Sequence, residues 1–227
     1  MSSYILEISS GLAGLYYLKK YPNTHKSNTY LVYFLWFTVF VEVIGVYAPL
    51  AYFTEYEYFS FVKGTIFEDN YWWYNIYLLL SFNFFLYYFS SFLKRNSMRK
   101  IFNILIVSFL FSGLINLSLS DIFFNGYSIY TQVIGTLLIL FSIILFYFDL
   151  LKSDQIISLK KILPVYISIG VLVFILIGTP LDVYSEYFNP DNDLYVKLKG
   201  FMLVAINIFM YTFFIIGFLV CAKKNKT

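Results

Sequence analysis

From Tyr30 to Phe53 the chain reads YLVYFLWFTVFVEVIGVYAPLAYF, an apolar stretch with one acid, Glu42, near its middle. At about 1.5 Å of rise per residue a helix of this length crosses a hydrocarbon layer of about 30 Å, so the stretch predicts a transmembrane helix. A carboxylate at mid-depth costs on the order of 2.5 kcal/mol, which predicts that Glu42 faces protein or water rather than lipid. Along the same side run Thr38, Gly45 and Pro49, the proline close enough to the end for a kink to be tolerated.

Six further segments follow this plan: Tyr4–Leu18, Tyr71–Leu93, Ile101–Leu119, Tyr127–Leu150, Ile162–Ile177 and Phe201–Ala222. They predict an all-α, polytopic seven-helix bundle, with residues 1–227 as a single integral membrane domain and no room for a soluble catalytic or DNA-binding module. The 60% of hydrophobic residues against 13% charged fits only a bilayer class. The first segment is short and carries Glu7, yet Ser3, Glu7, Ser10, Gly11 and Gly14 recur at helical spacing and predict one small, polar packing face. Asn75 and Asn83 are the polar candidates of the Tyr71–Leu93 segment, while Ser108, Ser112 and Asn116 form a stripe suited to interhelical hydrogen bonds. The amino end has no basic n-region and no small-x-small cleavage pattern, so it reads as mature sequence.

Charge decides the orientation. The segments connect through basic loops holding Lys19, Lys20, Lys26, Lys94, Arg95, Arg99, Lys100, Lys152, Lys160 and Lys161, and a tail with Lys223, Lys224 and Lys226. The alternate connections are acidic and contain only Lys63, Lys197 and Lys199. The positive-inside rule then puts the amino end outside and the carboxyl end in the cytoplasm of a bacterial-type inner or plasma membrane. This topology accounts for the basic loops by itself, and nucleic acid is not expected as a partner.

Two pairs of segments share patterns. Ile44-Gly45, Pro49-Leu50 and Glu55-Tyr56 parallel Ile177-Gly178, Pro180-Leu181 and Glu186-Tyr187, and Asn83, Tyr87 and Phe89 parallel Asn207, Tyr211 and Phe213. Both a duplication and chance matching between aromatic-rich helices account for them. A duplication would give two parallel triplets joined by the fourth helix. This three-plus-one-plus-three order resembles the SWEET and PQ-loop transporter family. The resemblance implies a solute site lined by asparagines of the third and seventh helices, here Asn83 and Asn207.

Several chemistries are excluded on residue grounds. Lys223 lies past the last helix, where a retinal Schiff base cannot form, and the lone His25 supplies neither a haem site nor a metal-dependent hydrolase. Asp191-Asn192-Asp193 begins like a calcium loop, but Val196 stands where an EF-hand requires glycine, so the run reads as a solvated acidic loop. No HExxH, nucleophile elbow or P-loop is present, and Cys221 reads as a small apolar residue. The expectation is a non-enzyme without cofactor or metal. Three readings remain: a carrier for a small, mostly neutral solute with a site near Glu42, Asn83, Asn207 and Glu7; a receptor-like subunit working through a cytoplasmic signalling partner; and a homo-oligomeric pore or membrane effector.

Overall fold

A computed structural model describes residues 2–185 and 193–223, and the described residues are helical with no strand. The helices are α1 (Ser2–Lys20), α2 (Lys26–Gly45), α3 (Tyr47–Phe53), α4 (Tyr71–Ser90), α5 (Asn96–Leu119), α6 (Ile122–Asn125), α7 (Ile129–Leu151), α8 (Leu163–Ser185) and α9 (Asp193–Ala222). A 3-10 stretch, Asp154–Lys161, links α7 to α8. Glu186, Tyr187, Asp191, Asn192 and Lys224 to Thr227 lie outside the described residues, and with them the Glu-Tyr half of the repeat, the start of the acidic run and the lysine tail.

Five spans among the described residues are long and apolar enough to cross a membrane: Lys26–Phe53, which joins α2 to α3, Asn96–Leu119, Ile129–Leu151, Leu163–Ser185 and Leu194–Ala222. The chain is therefore an all-helical, multi-pass integral membrane protein. Helices α1 and α4 fall outside that set, because Glu, Ser and Gly dilute the first and Tyr, Trp and Asn the second. Both nonetheless take their places in the bundle beside the others.

Six helices close a ring. In order around it, α1 packs on α2, α2 on α4, α4 on α7, α7 on α8, α8 on α9, and α9 back on α1. Helix α5 stands outside, against α4 and α7. Helix α1 exemplifies the inside-out pattern: Glu7, Ser10 and Gly14 are buried, while Ile5, Ile8, Leu12 and Leu15 are exposed. Large apolar side chains on an outer surface and small ones inside are what a lipid solvent selects.

Close packing holds the ring together more than polar contacts do. A Cβ on Gly135 of α7 would fall 2.4 Å from the Phe82 ring of α4, and one on Gly14 of α1 would fall 2.7 Å from Val32 of α2. The hydroxyl pairs Thr38–Tyr77 (3.0 Å) and Thr136–Thr179 (2.7 Å) bridge helices as well. Such interhelical bonds average about 0.6 kcal/mol in a membrane, so they fix register and leave most of the stability to packing.

Several helix ends differ from the sequence expectation. Helix α8 runs through Pro180 to Ser185 instead of stopping at Ile177, and α9 starts at Asp193 instead of Phe201. A helix broken in an apolar medium leaves backbone groups without water, so continuing past one missing N–H costs less than stopping. Asp182 therefore sits on a helix and not in a loop. Helix α5 likewise begins at Asn96 rather than Ile101, which brings Arg99 and Lys100 into its first turns. The polar stripe of α5 also behaves otherwise than expected. Ser108 and Ser112 bond their own helix at Leu105 O and Phe109 O, and only Asn116 reaches out, to the Ser128 hydroxyl at 3.0 Å.

Around Pro49 one rung of the helical ladder is missing. Helix α2 ends at Gly45, Val46 is a turn residue, and α3 follows at once. Pro49 cannot donate to Gly45 O, and the Asn70 amide does so instead at 2.8 Å, while Trp73 Nε1 donates to Val41 O at 2.9 Å. Val46 keeps helical φ/ψ, and this irregular turn, one turn beyond Glu42, is pinned by the residues that lead into α4. Above it, the 54–70 connection folds on itself: Gly64 turns at φ 72°, and its amide and the Tyr56 hydroxyl both donate to Glu68. Those two bonds, the tyrosine's above all, keep the Glu68 carboxyl below the usual carboxylate range, and the tyrosine's bond to Glu68 pushes the Tyr56 phenol up to about 12.

Candidate functional site

At the centre of the ring lies a cavity of about 190 Å³ to which all six ring helices contribute. Helix α1 supplies Glu7, α2 supplies Thr38 and Glu42, and α9 supplies Asn207 and Tyr211. The remaining wall is largely aromatic, with Phe34, Tyr77, Phe82, Phe85, Phe174 and Phe214. Among the described residues no lysine, arginine or histidine lines it. Two carboxyl groups from different helices therefore share one low-dielectric space without a basic partner.

Glu42 owes its place to a glycine. Tyr74 of α4 donates to Glu42 Oε2 at 2.9 Å, and it approaches α2 over Gly45, where a Cβ would fall 2.4 Å from the tyrosine oxygen. Nearby, Thr38 donates back to Phe34 O at 3.1 Å and meets the Tyr77 hydroxyl, which lays that ring along the wall. Phe34 and Phe84 stack at 4.1 Å, with Phe85 edge-on to Phe34 at 5.6 Å. Glu7 is 6% exposed and shares the cavity wall with Tyr211. Both glutamates also border a second hollow of about 180 Å³ in the α1–α2 seam, with Tyr4, Ile8, Val39, Val43 and Val46. The acid pair is thus the partition between the inner cavity and the flank of the bundle.

Of the four residues singled out in the sequence, Glu7, Glu42 and Asn207 meet at this cavity and Asn83 does not. Asn83 and Asn207 do behave alike locally, each amide donating to the carbonyl four residues back, Leu79 O at 2.8 Å and Leu203 O at 2.9 Å. The Asn83 Oδ1 is buried with no partner. Asn75 is structural: its amide donates to Gly126 O at 2.8 Å and its Oδ1 accepts from Ser128 N at 2.9 Å, closing the α6–α7 link onto α4. Sequence reasoning missed Tyr74, Tyr77 and Tyr211. In a chain with 23 tyrosines only the partner across the ring sets these three apart.

A second polar cluster joins α7, α8 and α9. Asp182 accepts from Gln132 Nε2 at 3.0 Å and pairs with Lys199 at 2.9 Å. Compared with protein-family models, curated proteins and solved structures, the chain matches none.

Proposed function

We propose that this protein is a seven-span carrier for a small solute whose one charge is positive, bound in the central cavity between Glu7 and Glu42. The observation that supports the reading is the convergence of two carboxyl groups and seven aromatic rings on a cavity that, among the described residues, has no basic side chain in its lining. Carboxylates attract a cation, and ring faces add about 0.5–2 kcal/mol each where water is excluded. A solute of this kind also relieves the repulsion between the two acids. The sequence reading of a mostly neutral solute is narrowed accordingly.

In this reading α1 and α4 also cross the bilayer, the amino end is outside, and α1, α2 and α4 form one triplet with α7, α8 and α9 as the other. Helix α5, outside the ring, is the connecting span of a three-plus-one-plus-three plan. The α2–α3 joint at Val46, where Pro49 leaves Gly45 O without a backbone donor, supplies a hinge where α2 swings without breaking the site. Glu42 exchanges a proton for the solute as the cavity opens to one side and then the other.

The test uses purified protein with tetramethylammonium and its neutral near-isostere tert-butanol. The cation raises the unfolding temperature in a saturable way and the alcohol does not, and Glu42→Gln removes the effect. Equal stabilisation by both probes, or by wild type and Glu42→Gln, contradicts the reading. Saturable binding without uptake into proteoliposomes moves the protein to the receptor class.

A further inference from the structure

Topology explains why loops on one end of the bundle are basic, but not why their side chains converge on a pocket. Where the start of α2, the end of α4 and the first turns of α5 meet, an open pocket of about 330 Å³ is lined by His25, Lys26, Ser27, Tyr87, Arg99 and Asn103, among others. Arg99 Nε donates to Leu93 O at 2.5 Å, which tethers one edge of the guanidinium to the chain just after α4. Its terminal nitrogens remain, and among the described residues no carboxylate pairs with them. His25 lies against Phe92 with ring centroids 4.5 Å apart, and its Nδ1 accepts from Ser27 N at 3.3 Å. The neutral ring therefore carries its hydrogen on Nε2, as a second donor.

Ser27 is the independent sign of a ligand. It is 1% exposed, and its hydroxyl has no partner. The other two serines of the pocket have used theirs, Ser90 on Tyr87 O at 3.0 Å and Ser91 on Tyr88 O at 2.6 Å. A buried donor left unmade is costly enough that native structures rarely keep one without reason. Neither Asp149 nor Asp154, acids of this end, lines the pocket. Both helices that start here lack an acid in the first turn, so their N-terminal partial charges are uncompensated by the protein.

We propose that this pocket binds a phosphate-bearing anion, with Arg99, Lys26 and His25 as donors around it and Ser27 at its floor. Planar guanidinium, ammonium, ring N–H and helix amides match the several oxygens of one phosphate group. A phospholipid headgroup and dissolved phosphate share this chemistry, and two arms separate them. In the first, the purified full chain in detergent is titrated with inorganic phosphate. In the second, it is placed in nanodiscs of phosphatidylcholine with and without phosphatidic acid, and thermal unfolding is read in both. Stabilisation by phosphate assigns the dissolved anion, and stabilisation only by phosphatidic acid assigns the headgroup.

In whichever arm responds, Arg99→Gln weakens the effect roughly tenfold, as the loss of a charge-assisted bond requires. Lys26→Gln, an exposed change that leaves the fold alone, weakens it by a smaller factor and reads the site if the arginine variant is unstable. Lys152→Gln is the control: that lysine is on the same end but rests over the Phe148 ring, 4.0 Å from its centroid. No stabilisation by either anion overturns the proposal, and so does equal weakening by Lys152→Gln and both pocket variants.

Discussion

Two acids on matching helices have opposite surroundings. Asp182 of α8 stands two residues after Pro180, is paired with Lys199 and takes a second bond from Gln132. Glu42 of α2 stands seven residues before Pro49, faces a cavity, and among the described residues has only the Tyr74 hydroxyl as a donor. A carboxylate held by a cation and an amide ties three helices together. One held by a single phenol leaves part of its cost unmet, a few kcal/mol for an ion at mid-depth, until something enters the cavity. Asp182 is thus a tie between helices, whereas Glu42 is the acid on which the proposed function rests.

The largest effect falls on the latch. Asp182→Ala leaves Lys199 and the Gln132 amide without their partner, and thermal or denaturant unfolding in detergent should show a loss of about 2 kcal/mol. Glu42→Gln keeps size and hydrogen bonding and should change stability by less than about 0.5 kcal/mol. If both variants are equally unstable, the division between latch and site fails.

Next comes the glycine that admits Tyr74. Gly45→Ala places a methyl group where the phenol passes, so Tyr74 shifts away from Glu42 or the helices part. Overpacking of this kind costs about 1 kcal/mol or more. Cation binding to the purified variant should weaken at least threefold. Gly200→Ala, at an open position, should do neither.

The asparagines sharpen the comparison at smaller scale. Asn207 lines the cavity and Asn83 does not, so Asn207→Ala should weaken cation binding a few-fold while Asn83→Ala leaves it unchanged. Since the Asn83 Oδ1 is buried without a partner, Asn83→Leu should hold or raise the unfolding temperature. The reverse order of the two asparagines would revive the symmetric site that the sequence pattern suggests.

Much of this was legible in the chain. The apolar segments, the small buried face of α1 and the interior position of Glu42 follow from spacing and from the cost of polarity in lipid. Hydropathy alone, however, misses α1 and α4, the helices that bring Glu7, Tyr74 and Tyr77 inward. Their polar and aromatic residues lower the average, and of these only Glu7 from α1 and Tyr77, Ser81, Phe82 and Phe85 from α4 line the cavity. Pro180 misleads in the opposite direction, since a residue that ends helices in water is bridged in a bundle. Partnerships such as Asn70 with Gly45 O, or Tyr74 with Glu42, span 25 and 32 positions and leave no local trace.

The smallest effect lies at the far end. Burial, and Arg99 beside it, hold the His25 imidazole below its ordinary value. A group with a depressed folded value stabilises in its neutral form, so that contribution is present above about pH 6.5 and is lost as pH falls below it. Thermal unfolding should drop slightly between pH 7 and pH 5, and His25→Asn should flatten the drop.

The central claim is that Glu42 exchanges a proton for a cation in the cavity. It is tested most directly by proton release from proteoliposomes on addition of an external cation, wild type against Glu42→Gln. Wild type should release protons in step with cation uptake, while the folded variant should release none. Coupled proton and cation movement that persists unchanged in Glu42→Gln would contradict the account.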